Sequence, residues 1–307
     1  GARRQVFPAS HAGSIGRVWL ERVPERVPVG QPRPDDTIWH FLLPDEGMAD
    51  YGDKVVKQMA PEDVARIKQW RKGFMAGFSD GEVRTLKRLS NAVDRLWEEH
   101  VRARKEVREA TKHMFPLFGK EDDPEFRETP ADQRRSIADK ERLFREKILS
   151  EGLSNSSPYR RLKLAMDYWC ALWFWPIEQA HLLPRRDELL LELTLILEGS
   201  ARAMELPGEA DQLLLFPADM PKQQQIHFLE RFGIVDVEKL CAELPRLGLV
   251  KAIAERHRFL HWELEFAEVF QDGGGFDLIL GNPPWIKVEW NEGAVMGDFD
   301  PLYVLRN

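Results

Sequence analysis

The sequence predicts a mainly helical chain with a few strands near its N-terminus and one strand, followed by a rigid loop, close to its C-terminus. Three observations carry this. Val83, Leu86, Leu89, Val93, Leu96, Trp97 and Val101 recur at the i, i+3, i+4 spacing of one helix face. Residues 159–183 and 189–204 are apolar nearly all round, as buried helices are. Residues 276–281, Phe-Asp-Leu-Ile-Leu-Gly, are a short apolar run ahead of two prolines, which suits a buried parallel strand.

Composition narrows the class of protein. The 307 residues include 44 Lys+Arg and 51 Asp+Glu, a net charge of −7. Such a balance speaks against a protein that grips nucleic acid with its whole surface, while leaving room for a local basic patch. With 43% hydrophobic residues, ten Trp and seventeen Phe, the chain has enough apolar surface to offset chain entropy and fold. Two cysteines, Cys170 and Cys241, are too few for a disulfide scaffold or a four-thiolate zinc site, and suit a reducing, cytoplasmic setting. Neither a signal peptide nor a membrane span is expected, because the Arg-rich start lacks an apolar core and the apolar runs are short. The chain begins Gly1-Ala2-Arg3 without Met and stops at Asn307, soon after its most informative motif. It reads as a piece of a larger protein.

Along the chain, residues 14–23 alternate imperfectly through Ile15, Val18, Leu20 and Val23, and residues 37–43 are β-branched and aromatic; both are expected as strands. The proline-rich stretch 24–34 between them reads as a loop, and Asp45-Glu46-Gly47 as a turn. Pro61, followed by Glu62 and Asp63, opens a helix. Ser79 and Glu82 form a capping-box pattern before the long stripe, which is expected to run to about His113. The polar residues of that helix, among them Arg84, Lys87 and Arg88, are more simply a solvated face than a DNA contact. Residues 118–128 read as a loop, Thr129-Pro130 as a helix start leading to Ile137, Leu143, Phe144 and Ile148, and residues 152–158 as a break. In 159–183, Trp169, Trp173 and Trp175 are expected to pack in the core rather than stack bases, with Pro176 kinking or breaking the helix. The helix over 189–204 ends near Pro207-Gly208, and 208–221 is a loop. Residues 223–232, 236–244 and 247–258 suit short helices.

The chemistry gathers at the end. After the apolar run come Asn282-Pro283-Pro284-Trp285. Successive prolines fix φ and bar a helix, so the chain leaves the strand in a rigid extended loop. An Asn side-chain oxygen and a proline carbonyl can together accept both hydrogens of an exocyclic amine. The following Trp offers a π-face to a planar base, and such a site suits a flipped-out adenine. Strand ends are also where ligands bind in open α/β sheets.

The run Phe276-Asp277-Leu278-Ile279-Leu280-Gly281-Asn282-Pro283-Pro284-Trp285 resembles the catalytic motif of S-adenosylmethionine-dependent amino-methyltransferases, with Asn first as in N6-adenine enzymes. The preceding His261-Trp262-Glu263-Leu264-Glu265-Phe266-Ala267-Glu268-Val269-Phe270 resembles the HW…EFPEVF lead-in of the large type IIG-like methylases of restriction and phage-defence systems, including BREX and DISARM, with Ala267 where many relatives carry Pro. The stretch 37–57 and the long helical segment are most similar to the adenine methylase of class I DISARM systems. The resemblance implies that the C-terminal strand and loop belong to a Rossmann-like methyltransferase sheet. It implies that Asn282 and the Pro283 carbonyl hold the adenine amino group, that Pro284 stiffens the loop and that Trp285 stacks on the base. DNA is the implied partner, possible further subunits of a defence system accompany it, and neither a covalent enzyme intermediate nor a metal is expected. The implied organisation is a small β-containing segment at 1–58, a helical insertion or spacer domain at 59–258, and the catalytic-motif portion at 259–307.

A complete enzyme also needs a cofactor loop, acidic and glycine-rich, after a first strand. His11-Ala12-Gly13-Ser14-Ile15-Gly16 lacks a preceding strand, Gly273–Gly275 lies before its strand rather than after it, and Glu198-Gly199-Ser200 falls inside a helical pattern. Only Gly281 remains as a candidate cofactor contact. The full S-adenosylmethionine site is therefore expected in residues that precede Gly1, and the piece alone is expected to be inactive. His257 and His261 stand four apart, as zinc ligands can, yet lack the HExxH order and read as structural. Asp139-Lys140-Glu141 is ordinary surface charge. Two rival readings stay open: a methylase of another amino group, in a protein glutamine or an RNA base, and a non-catalytic helical docking or DNA-clamp module.

Overall fold

The computed structural model describes residues 1–13, 18–28, 30–111, 136–146, 157–199, 236–276 and 278–282. The chain divides into two compact units, Gly1–Gly275 and Phe276–Asn307.

The first unit opens on a strand, β1 (Gln5–Pro8), and a single helical turn, α1 (Ala9–Ala12). A second turn, α2 (Val18–Glu21), stands where alternation suggested a strand. Trp19, between the alternating positions, is the buried residue and donates its indole N–H to the Pro44 carbonyl (3.0 Å), while Val23 is exposed. Strand β2 (Glu25–Arg26) lies inside the proline-rich stretch, and β3 (Thr37–Trp39) runs into a 3₁₀ turn, His40–Leu42. The sheet order is β2-β1-β3, antiparallel, with Val6 opposite both Glu25 and Trp39. The predicted turn at Asp45 forms, with the Gly47 N–H donating to the Asp45 side chain (3.1 Å). Gly47 is needed there, because a Cβ would come within 2.0 Å of the Trp173 ring.

Helix α3 (Lys54–Met59) is capped by Asp53, and α4 (Pro61–Phe74) starts on Pro61 as its sequence requires. The long helix α5 (Asp80–Thr111) has 32 residues, about 48 Å at the α-helical rise. Its capping box is complete: Glu82 accepts from the Ser79 N–H (2.7 Å) and Ser79 Oγ accepts from the Glu82 N–H (3.3 Å). The stripe from Leu86 to Val101 is buried. Helix α6 (Ile137–Phe144) begins one residue after Ser136, whose Oγ accepts from the Asp139 N–H (3.1 Å). The expected start at Thr129, the loop at 118–128, Ile148, and residues 152–156 of the break lie outside the described residues, as do the expectations for 200–232.

Helix α7 (Pro158–Ala171) is capped by Ser157 and packs against α5, α8 and α10, so it sits at the centre of the helical layer. It ends at Ala171, ahead of Pro176, which opens a second 3₁₀ segment, Ile177–Leu182. Of the three tryptophans expected in the core, Trp175 is fully buried and Trp169 partly so, donating to the Leu43 carbonyl (2.9 Å). Trp173 is partly exposed. Helix α8 (Arg186–Glu198) stops at Gly199, which has a φ of 81°. The glycine is a helix terminator rather than an interior residue, and the helix is shorter than its apolar pattern. Helices α9 (Val237–Glu243) and α10 (Pro245–His257) are close to their expected bounds. Two short helices, α11 (Trp262–Glu265) and α12 (Ala267–Gly273), complete the unit.

A buried charge cluster lies inside this apolar body, around Glu192. Glu192, 3% exposed, accepts from Arg246 Nη1 (2.6 Å) and from the Tyr168 hydroxyl. Arg246 also reaches Glu188 (3.0 Å). Burial pushes the Glu192 carboxyl up, with Arg246 and Tyr168 opposing. Removing one partner of such a pair strands the other in a low-dielectric core. Arg246→Met should therefore cost about 3–5 kcal/mol of stability, read as a lowered urea midpoint.

Candidate catalytic segment and its anchor

The segment with candidate chemistry begins at Leu260. Its first part, α11 and α12 with the residue before them, belongs to the first unit, and the side chains of His261, Glu263, Glu265 and Glu268 each have a partner there. His261 is fully buried: its Nδ1 accepts from the Ala2 N–H (3.0 Å) and its Nε2 lies 3.0 Å from Asp167 Oδ1. A backbone amide can only donate, so Nδ1 carries no proton and Nε2 donates to Asp167. Glu263, also buried, accepts from the Arg4 N–H (2.7 Å) and meets Arg26 (3.4 Å). Glu265 accepts from the Tyr159 hydroxyl (2.6 Å). Glu268 takes both prongs of Arg104, Nε at 3.0 Å and Nη2 at 3.1 Å, and the same Nη2 donates to the Glu265 carbonyl (2.9 Å). His100 Nε2 lies 2.9 Å from the Leu264 carbonyl.

The outward side is aromatic. Trp262 is 53% exposed and stacks on Phe266, with ring centroids 5.6 Å apart. Helix α12 ends where Gly274, with a φ of 72°, donates to the Phe270 carbonyl (3.0 Å). Gly275 follows with a φ of 148°. Side chains tolerate such φ values poorly, so these two glycines set the direction in which the chain leaves the helix.

In the second unit, residues 276 and 278–282 form no strand, and Leu278, Ile279 and Leu280 are 70, 75 and 84% exposed. A strand exists only with a hydrogen-bonded neighbour, and among the described residues none pairs with this run; the Rossmann-like sheet expected from the sequence is not formed by them. Gly281 and Asn282 are exposed, without regular secondary structure. Pro283, Pro284 and Trp285 lie outside the described residues.

The described residues do not build a cofactor cradle. A Cβ on Gly281 would meet nothing within 4 Å, so no described residue walls it in. Other described glycines have local roles: Gly13 bridges to Phe78, Gly30 approaches the Gln271 carbonyl, Gly47 admits Trp173 and Gly199 ends a helix. No described strand is followed by an acidic, glycine-rich loop. Among the described residues no group of three or more His, Cys, Asp or Glu is placed to hold a metal. His257 and His261 serve different partners, since His257 stacks on Phe259 and packs at a tilt against Phe174. Burial pushes both thiols, Cys170 and Cys241, up to about 11, so neither is a ready nucleophile. No described helix is long and apolar enough to cross a membrane.

Sequence reasoning singled out Asn282 by its motif and gave no direct hint of the anchor's partners, Asp167, Tyr159, Arg104, His100 and Arg4. The one signal was the density of acidic residues in 263–268, which ordinarily marks a solvated face.

Residues 192–302 match the family model of the Eco57I restriction-modification methylase. No curated protein and no solved structure matches the chain. The matched stretch contains the anchor helices and the Asn-Pro-Pro-Trp motif together. Its match supports a methylase of the restriction–modification type, a class that acts on DNA, and points to a DNA methyltransferase.

The anchor has a pH signature. Burial holds the His100 imidazole below its ordinary value of 6.5, against the opposing Leu264 carbonyl; Arg104 also lowers it and Glu268 raises it. The unfolded chain then takes up a proton before the folded one. This contribution is complete above about pH 6.5 and is lost as the pH falls below it. The urea midpoint should drop between pH 7.5 and 5.5, and His100→Gln, which keeps an N–H donor, should flatten that part of the slope.

Proposed function

We propose that this chain is part of a DNA adenine-N6 methyltransferase of a restriction–modification or phage-defence system, with Asn282, Pro283, Pro284 and Trp285 as its base-holding loop. The observation that carries the reading is the coincidence of the family match at 192–302 with an Asn-Pro-Pro-aromatic motif behind an apolar run. The chemistry needs these residue types. The amino nitrogen of adenine is a poor nucleophile, because its lone pair is delocalised into the ring. Two acceptors, the Asn282 side-chain oxygen and the Pro283 carbonyl, take its two hydrogens and favour a pyramidal nitrogen with an available lone pair. Pro284 keeps the acceptors at fixed spacing, and Trp285 holds the extruded base by stacking. S-adenosylmethionine is the proposed methyl donor, held by residues other than those described. The exposed run at 278–280 is proposed as a strand of the methyltransferase sheet. DNA is the proposed partner, and the helical body the proposed spacer or docking part.

Asn282→Ala in the full-length protein should lower methyl transfer to adenine-containing DNA by about 10²–10³-fold, the usual cost of one charge-stabilising hydrogen-bond group. Transfer that survives unchanged would remove Asn282 from the catalytic loop, and preferential methylation of a protein glutamine or an RNA base would redirect the substrate assignment. Calorimetry of the 307-residue chain with S-adenosylmethionine should show no micromolar binding; micromolar affinity would place the donor site within it.

A further inference from the structure

The family match begins at residue 192, yet the segment leading to its catalytic motif is held from outside that match. Asp167, Tyr159, Arg104, His100, Arg4 and the Ala2 amide all lie before residue 192, and all bond to residues 261–268. The body at 1–191 therefore does more than cap the matched part. It determines where α12 sits, and α12 ends at the two positive-φ glycines from which the chain runs towards Asn282.

Among these ties the Arg104–Glu268 fork is the one nearest that exit. It joins α5, anchored along its length by the buried stripe, to the second residue of α12. The pair is mostly buried, with side-chain exposures of 18 and 14%. Two parallel N–H···O bonds fix orientation as well as distance, which a lysine cannot reproduce. The third bond, to the Glu265 carbonyl, ties the turn between α11 and α12 to the same guanidinium.

We propose that the Arg104–Glu268 fork is a positioning element for the methyl-transfer reaction, orienting α12 on α5 and so fixing the upstream end of the segment that delivers Asn282. The inference rests on the methylase reading above. Neither residue is placed against substrate; both act through the backbone that follows them. Catalytic geometry is steep in distance, with misplacements of about 1 Å costing about 10²-fold in rate, so loss of the fork acts on turnover before it acts on binding.

The test uses the full-length protein and four variants, Arg104→Lys, Glu268→Gln, the exchanged pair R104E/E268R, and Arg246→Lys as a control in the separate Glu188–Glu192 cluster. Steady-state methylation of adenine-containing duplex DNA gives kcat and KM, and thermal melting gives Tm. Arg104→Lys and Glu268→Gln should each lower kcat by about 10-fold or more while KM for DNA moves less than about 2-fold. The exchanged pair should recover part of the loss, and the control should keep kcat even where its Tm falls as far. An unchanged kcat in both single variants, with Asn282→Ala inactive, would overturn the positioning role and leave the methylase reading intact. An equal fall in the control would reduce the effect to stability and overturn it as well. Full activity of Asn282→Ala would instead overturn the reading beneath it.

Discussion

The fold turns on a buried imidazole. His261 joins three parts of the chain that are far apart in sequence: the Ala2 amide before β1, Asp167 near the end of α7, and the turn into α11. Because Ala2 can only donate, the ring's tautomer is set, and the Nε2 proton is committed to Asp167. The second Asp167 oxygen accepts from Lys163 (2.7 Å), so the carboxylate is satisfied on both sides. A buried polar chain of this kind holds only when every member is paired. Here each end is an element of secondary structure, and so the network specifies how the sheet, the central helix and the anchor come together.

A second interaction extends the same constraint to the long helix. Arg4, whose amide donates to Glu263, places its guanidinium between two indoles, 5.0 Å from the Trp39 ring and 4.9 Å from Trp97. Burial lowers its pKa while Glu263 and Asp94 hold the charge. Trp39 donates to Asp94 (2.9 Å), and Arg33 meets the other oxygen of that carboxylate (2.9 Å). The cation is thus stabilised by ring faces where water is excluded, a setting in which such contacts are strongest. Strand β1, strand β3 and α5 converge on one arginine.

The legible parts of this structure were those governed by local rules. Ser79 and Glu82 announced the start of α5, Pro61 the start of α4, and the stripe from Leu86 to Val101 its buried face. Where long-range packing decides, the sequence misled. Trp19 is buried because a one-turn helix carries it under Pro44, which no alternation rule foresees. Pro8 ends a strand and Glu25–Arg26 pairs inside a proline-rich stretch because β1 lies between them and β3. At the candidate site, the motif around Asn282 stands out in the sequence because hydrogen-bond acceptance and a restricted φ are properties of Asn and Pro themselves. The ties of Glu263, Glu265 and Glu268 do not, since each depends on a partner up to 259 positions away.

The anchor inverts the usual order of an amphipathic segment. Its carboxylates and its histidine face the body, and Trp262 faces outward. Burying carboxylates is costly unless each is paired, and Glu263, Glu265 and Glu268 each meet a cation, a phenol or a backbone N–H. An apolar face would have gained similar burial energy with less directional demand. What the polar arrangement adds is a single register: a slip of one residue along α11 or α12 would break His261, Glu263, Glu265 and Glu268 at once. That all-or-none character holds α11 and α12 in one place on the body of the first unit. It also explains why the acidic residues cluster within a few positions of one another, where a purely packed helix would have needed none.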